Sequence, residues 1–122
     1  MDARRLALIA ATIALAVTAA GCTGTPPPVT PQERTFTTNE YDFAFSLKSM
    51  DVNQNDNVTI TITNNGTMTH DFSIDQYNIH VTLNVNETKV ANFKATTKGT
   101  FEYYCAVPGH KALGMVGTLK VN

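Results

Sequence analysis

Apolar and polar residues alternate along much of this chain. The runs with this alternation are residues 41–48, 58–62, 70–74, 79–85, 101–105 and 115–121. A period of two is typical of β-strands with one buried face, whereas a helix would repeat near every 3.6 residues. Turn-forming residues such as Asn64-Asn65-Gly66 separate the runs. The pattern therefore predicts short strands and no helix longer than one turn.

The length and charge of the chain limit the number of domains and the classes of partner that these strands can serve. A chain of 122 residues is the size of one domain. Several short strands within residues 35–122 favour an all-β fold, an antiparallel β-sandwich with Greek-key connections. The net charge is −1 and no long block of like charge occurs, so nothing in the charge favours nucleic acid as a partner.

Residues 1–22 have the pattern of an export signal. A basic start is followed by an apolar run at 6–17, and small residues precede Cys22. The run is shorter than the roughly 20 residues of a membrane span, and the small residues ending in Cys resemble a bacterial lipobox. We predict a signal peptide, a lipidated Cys22 and anchoring at the extracytoplasmic face of a prokaryotic membrane. Because leucine is more usual at Ala19, plain secretory cleavage is the alternative.

Residues 23–34 predict a tether between this anchor and the domain. They contain four of the five prolines, and few of their side chains could be buried in a core. Proline-rich segments are stiff and extended, at about 3.1 Å per residue. The tether could therefore hold the domain a few nanometres from the lipid surface.

The two cysteines have different expected roles. Cleavage and lipidation at Cys22 would leave Cys105 without a disulfide partner. An unpaired thiol outside the cytoplasm is a liability unless it is buried or bound to a metal. The isolation of Cys105 therefore favours a metal site.

The segment at 105–115 supplies the other candidate ligands. Cys105, His110 and Met115 occur at intervals of five residues just before the last strand, and His70 lies far upstream. Two imidazoles, one thiolate and a weak axial thioether form the ligand set of a blue-copper electron-transfer site. Each residue alone is more often core or surface; the combination predicts copper.

Strand parity selects the histidines. His70 shares the inward face with Phe72 and Ile74, whereas His80 lies opposite the apolar residues of its own run. Cys105 falls on the inward face of its strand, and Met115 begins the inward series of the last one. Four ligands can thus converge at one end of the sandwich, with His80 left at the surface.

Two motifs resemble those of cupredoxins. They are the Asn64-Asn65-Gly66-Thr-Met-Thr-His70-Asp-Phe72 segment and the Gly99-Thr-Phe-Glu-Tyr-Tyr-Cys105-Ala-Val-Pro-Gly-His110-Lys-Ala-Leu-Gly-Met115-Val-Gly-Thr-Leu segment. The resemblance covers residues 36–122, and the ligand-loop spacing is similar to that of auracyanins, sulfocyanins and rusticyanins. It implies a single-electron carrier rather than an enzyme. One copper ion cycling between Cu(I) and Cu(II) would be bound by His70, Cys105, His110 and Met115, with His110 at the solvent-facing edge.

Two further residues matter for such a site. Tyr104 matches an aromatic residue that could offer a second electron route, although packing at the surface is the alternative. Asp71 replaces an asparagine whose side chain, in many family members, ties the two ligand-bearing segments together. An ionised carboxylate cannot donate a hydrogen bond, so backbone donors are the expected substitute.

Other copper and zinc functions fit the sequence less well. Multicopper oxidases and nitrite reductases need additional histidines, and this chain has three. A binuclear copper site would need a cysteine where Gly109 stands, and closed zinc sites rarely use methionine. A copper chaperone or storage protein remains the alternative function.

The residues around His110 predict the partner surface. Val107, Pro108, Ala112 and Leu113 would form an apolar rim on which redox proteins dock transiently. Such encounters bury less than about 1,200 Å² in total. We expect a monomer, and the alternative for these side chains is that they turn inward to pack the loop.

Overall fold

The computed structural model describes residue 21 and residues 24–122. Apart from residue 21, the predicted signal peptide, including Cys22, lies outside the described residues. Within the described part of the chain, no helix is long and apolar enough to cross a membrane.

Nine strands and one short 3-10 helix form the domain. The strands are β1 (Glu33–Tyr41), β2 (Ala44–Phe45), β3 (Ser49–Val52), β4 (Asn57–Asn64), β5 (His70–Ile74), β6 (Ile79–Leu83), β7 (Thr88–Lys94), β8 (Gly99–Tyr104) and β9 (Val116–Val121). The 3-10 helix, Asp75–Tyr77, connects β5 to β6. Among the described residues it is the longest helical element, as the period of two predicts.

The strands form two sheets. One has the order β2-β1-β4-β7 and the other the order β3-β9-β8-β5-β6. The β-sandwich prediction is confirmed, but the sheets are mixed, because β1–β4 and β3–β9 are parallel pairs. Alternation identifies the buried face of a strand and carries no information about the direction of its neighbours.

The core lies between the two sheets. Val58, Ile60 and Ile62 of β4 and Phe72 and Ile74 of β5 all belong to one buried cluster. β4 therefore buries every second side chain, as predicted, whereas all five residues of β5 are buried.

Tyr103, two residues before the candidate ligand Cys105, is closely packed in this core. The buried Tyr103 ring lies against Phe45, with ring centroids 5.4 Å apart, and its hydroxyl donates to the Leu47 carbonyl at 2.6 Å. Gly117 faces Tyr103 across the β8–β9 pair. A Cβ at Gly117 would overlap the ring, so glycine is required there.

The alternating run at 41–48 does not form the predicted single strand. β1 ends at Tyr41, and the chain reverses through Asp42 and Phe43 into β2. Tyr41 is consequently 43% exposed. β1 also begins at Glu33, so the last two residues assigned to the tether pair with β4.

β6 is likewise shorter than its run. It ends at Leu83, and Val85 in the following turn is exposed rather than inward-facing. Nothing in the alternation marks these ends, because the apolar spacing continues through both turns.

The topology places four chain segments at one end of the sandwich. β8 runs antiparallel to both β5 and β9, so the start of β5, the end of β8 and the start of β9 lie together. β1 is parallel to β4, and the loop after β4 leads into His70. The turn at Asp42 and Phe43 therefore reaches the same end.

Candidate metal centre

His70, Cys105 and His110 form a compact triangle at this end. Cys105 Sγ lies 3.4 Å from His110 Nδ1 and 3.9 Å from His70 Nδ1, and the two Nδ1 atoms are 3.2 Å apart. His70 and Cys105 are fully buried, and His110 is 7% exposed. The three side chains therefore present one sulfur and two nitrogens to a common point.

The size of the triangle matches a metal ion. Imidazole nitrogen at about 2.0 Å and thiolate at about 2.3 Å from a metal in a trigonal plane would place the ligand atoms about 3.5–3.7 Å apart. The observed separations of 3.2, 3.4 and 3.9 Å differ little from these values. Two His and one Cys in a trigonal site are the donors of blue copper, and the cluster fits one copper ion.

The ligand loop gets its shape from proline and glycine. His110 N donates to the Val107 carbonyl at 3.1 Å, with Pro108 and Gly109 in the central positions of the turn. Gly109 has φ +86°, so this is the type II arrangement that places Pro second and Gly third. A second left-handed glycine, Gly114 at φ +97°, ends the following helical turn. Together these turns aim His110 at Cys105.

His70 is positioned by Asn64. The buried Asn64 side chain donates to the carbonyls of Met68 and Leu83 and accepts from Gly66 N, at 2.9–3.0 Å. One side chain thus organises the whole turn before His70. The sequence indicated the turn, and the structure shows what stabilises it.

Met115 lies where strand parity predicted. It is fully buried, and its carbonyl accepts from Cys105 N at 3.1 Å while its own N donates to the His110 carbonyl at 3.2 Å. The backbone of Met115 therefore ties two of the three clustered residues together. Its role as the fourth ligand stays a prediction.

Burial sets the protonation of these groups. Burial raises the pKa of the Cys105 thiol, so a cation must displace its proton to form the thiolate. Burial, aided by the neighbouring His70, lowers the pKa of His110. The neutral imidazole is the form that binds a metal.

Asp71 connects the two ligand-bearing segments through its backbone and its carboxylate. Its N donates to Cys105 Sγ at 3.2 Å, and its Oδ1 accepts from Ala106 N at 3.3 Å and from the Ser73 hydroxyl. Asp71 and Ser73 are both buried, although parity placed them on the polar face. Donors from the backbone therefore replace the asparagine amide, as expected.

Two residues of the β1–β2 turn were not anticipated. Asp42 Oδ1 lies 2.8 Å from His70 Nε2, and the Phe43 ring packs edge-on against His110 with centroids 4.8 Å apart. Both residues fall in a run that reads as one strand, with Asp42 on its outward face. No turn signal such as Gly or Pro marks this reversal.

The remaining predicted residues lie outside the triangle. Tyr104 is partly buried, and its hydroxyl donates to Asp75 at 2.9 Å. His80 is exposed, as predicted, and its Nδ1 lies 2.9 Å from the Ser73 hydroxyl.

The rim around His110 is mostly exposed. Pro108, Ala112 and Leu113 are exposed, Leu113 by 62%. Val107 is partly buried and packs against the core. For that residue the alternative expectation, that its side chain turns inward, applies.

The family follows from the whole sequence. The cupredoxin-like domain family matches residues 5–116. The chain belongs to this family. The match confirms the predicted resemblance and agrees with the His-Cys-His cluster. A search of curated protein sequences finds no match for this cupredoxin.

Solved structures with the same fold include blue copper proteins. Auracyanin A, a "blue" copper protein from the green thermophilic photosynthetic bacterium Chloroflexus aurantiacus, is 27% identical with a TM-score of 0.66, over 74% of this chain and 99% of its own. Reduced auracyanin from Roseiflexus castenholzii is 21% identical with a TM-score of 0.65, over 72% and 96%.

Enzymes also contain this fold. Copper nitrite reductase from Nitrosomonas europaea is 22% identical with a TM-score of 0.65, over 74% of this chain and 41% of the reductase. The likeness to the reductase extends only to the fold of part of that enzyme. The auracyanins match over nearly their whole length.

Proposed function

We propose that this cupredoxin carries single electrons between extracytoplasmic redox partners, with one copper ion bound by His70, Cys105, His110 and Met115. The buried triangle of two imidazoles and one thiol carries the proposal, because these donors suit both Cu(I) and Cu(II). Copper bound there would supply the one-electron couple, and the thioether of Met115 would be its weak fourth ligand.

The ligand residues are held in a way that favours fast exchange. Backbone hydrogen bonds connect Cys105 to Met115 and Met115 to His110, and the Asp71 N–H fixes the sulfur. A framework bonded in this way changes little between oxidation states. Of the three clustered residues only His110 reaches the surface, so we assign the exit of the electron to its imidazole.

A copper chaperone or storage role is less well supported. Handing a metal to another protein needs ligands that an incoming side chain can reach. Here the three clustered ligands are exposed by 0%, 0% and 7%. Such burial suits a resident ion.

Copper loading tests the proposed function. Cu(II) is added to the purified protein, followed by visible absorption, electron paramagnetic resonance and voltammetry. We expect an intense thiolate-to-copper band and a reversible one-electron wave. A colourless protein that binds zinc tightly would contradict the electron-carrier function.

The docking surface is tested by placing a charge on the rim. Leu113→Lys is expected to slow electron exchange with redox partners about tenfold or more, because a hydrated ammonium disrupts the apolar contact around His110. The absorption band should stay unchanged. Val90→Lys is the matched control, since Val90 is 53% exposed on β7 of the other sheet. Equal slowing in both variants would argue against this surface.

We also propose a lipid anchor at Cys22, with the proline-rich residues 23–34 as the tether. The support is the basic, apolar and small-residue order of the first 22 positions. Mass spectrometry of the processed protein should find a lipid-modified Cys22 as the first residue. An unmodified N-terminus near the same position would instead indicate plain secretion.

A further inference from the structure

Asp42 contacts the side of His70 that faces away from the metal centre. His70 Nε2 lies 2.8 Å from Asp42 Oδ1, while His70 Nδ1 faces Cys105 and His110. An ionised carboxylate can only accept, so Nε2 carries the hydrogen. In the neutral imidazole the lone pair is then on Nδ1, the atom within the triangle.

The carboxylate is itself fixed in place. Both Asp42 oxygens lie 3.0–3.1 Å from Thr67 N, and the Thr67 hydroxyl donates to Oδ2 at 2.6 Å. The Asp42 side chain keeps only 24% of its exposure, so its position is defined by the loop that leads into His70.

Gly66 allows this close approach. A Cβ at Gly66 would overlap Asp42 Oδ1 and lie 2.6 Å from His70 Nε2. The carboxylate and the imidazole therefore fill the space that any other residue would occupy. Gly66 and Thr67 of the loop and His70 at the start of β5 all contact, or leave space for, the Asp42 side chain of the β1–β2 turn.

We infer that Asp42 is a positioning residue for copper. It holds His70 in the tautomer whose Nδ1 faces the ion, and its negative charge stabilises the oxidised ion more than the reduced one, which lowers the reduction potential. Metal-binding histidines commonly donate their second N–H to a carboxylate, which orients the ring and raises its basicity. The statement about potential rests on the proposed electron-carrier function, whereas the statement about the tautomer concerns the protein alone.

Two substitutions separate the hydrogen bond from the charge. Asp42→Ala removes both and is expected to weaken Cu(II) binding about 10- to 100-fold, the usual effect of losing such a partner. Asp42→Asn keeps an acceptor oxygen and is expected to retain most of the affinity while the potential moves upward. Asp51→Asn is the control, because it removes the same charge from an exposed residue of β3, which pairs with Lys120 near the opposite end of β9.

Nitrogen-15 NMR of the metal-free protein shows which ring nitrogen of His70 carries the hydrogen. We expect His70 to carry its hydrogen on Nε2 in the wild type and to become a mixture of tautomers in Asp42→Ala. An unchanged tautomer and unchanged affinity in Asp42→Ala would overturn the inference, as would equal shifts of potential in Asp42→Asn and Asp51→Asn. If the wild type failed to form a blue site, the proposed function would fail while the NMR result still decided the role of Asp42.

Discussion

Replacing Cys105 by serine is expected to abolish the intense visible absorption of the copper-loaded protein and to weaken Cu(II) binding by more than about 100-fold. A serine hydroxyl is a hard donor that stays protonated, so it cannot supply the thiolate on which the band depends. This loss of affinity should exceed the 10- to 100-fold that is usual when a residue hydrogen-bonded to a metal ligand is removed. The change is measured by Cu(II) titration with absorption and electron paramagnetic resonance.

His80→Gln is the matched control for this variant. It removes an imidazole that lies outside the triangle, so both the band and the affinity should be retained. The fold should also persist in Cys105→Ser, because the buried hydroxyl can accept the Asp71 N–H that now bonds to sulfur. A blue spectrum in Cys105→Ser would rule out this cysteine as the ligand.

Replacing Glu40 by glutamine is expected to stabilise the metal-free protein at pH 8 and to change its stability little at pH 5. Glu40 is fully buried in β1, and neither carboxylate oxygen has a hydrogen-bond partner in the described chain. Burial, with the nearby Asp71, raises the pKa of Glu40 to about 8. The side chain is therefore an uncharged acid at neutral pH.

The sign of the pH dependence follows from this raised pKa. The folded state holds the proton more tightly than the unfolded state, in which the carboxyl has its ordinary pKa of 4.5. The contribution of Glu40 to stability is therefore greatest below about pH 4.5 and falls, by up to about 1.4 kcal/mol for each pH unit, as the pH rises to about 8. Glutamine does not titrate, so Glu40→Gln should remove this decline.

Urea unfolding between pH 5 and pH 8.5 measures the effect. Glu33→Gln is the control, since Glu33 is an exposed acid in the same strand, and it should leave the slope as in the wild type. Parallel pH curves for Glu40→Gln and the wild type would show that Glu40 does not titrate in this range.

The alternation of side chains predicted their faces correctly where the chain forms a regular strand. It assigned His70, Cys105 and Met115 to the interior and His80 to the surface, and all four side chains lie accordingly. It failed at Asp42, where the chain turns without a glycine or a proline. Alternation also placed Asp71 on the polar face of β5, yet Asp71 is buried, and its carboxylate accepts from Ala106 N just after β8.

The sequence alone determined the all-β class, the inward positions of His70, Cys105 and Met115, and the grouping of His70, Cys105 and His110 as metal ligands. Those features depend on residue type and on spacing along a strand. Because successive side chains of a strand point to opposite faces of the sheet, the spacing determines on which face each side chain lies. The tertiary structure decided the parallel pairing of β1 with β4, the burial of Glu40 and the bond from Asp42 to His70. These depend on segments far apart in the chain, 28 residues in the case of Asp42 and His70, and local spacing carries no information about which distant segments meet.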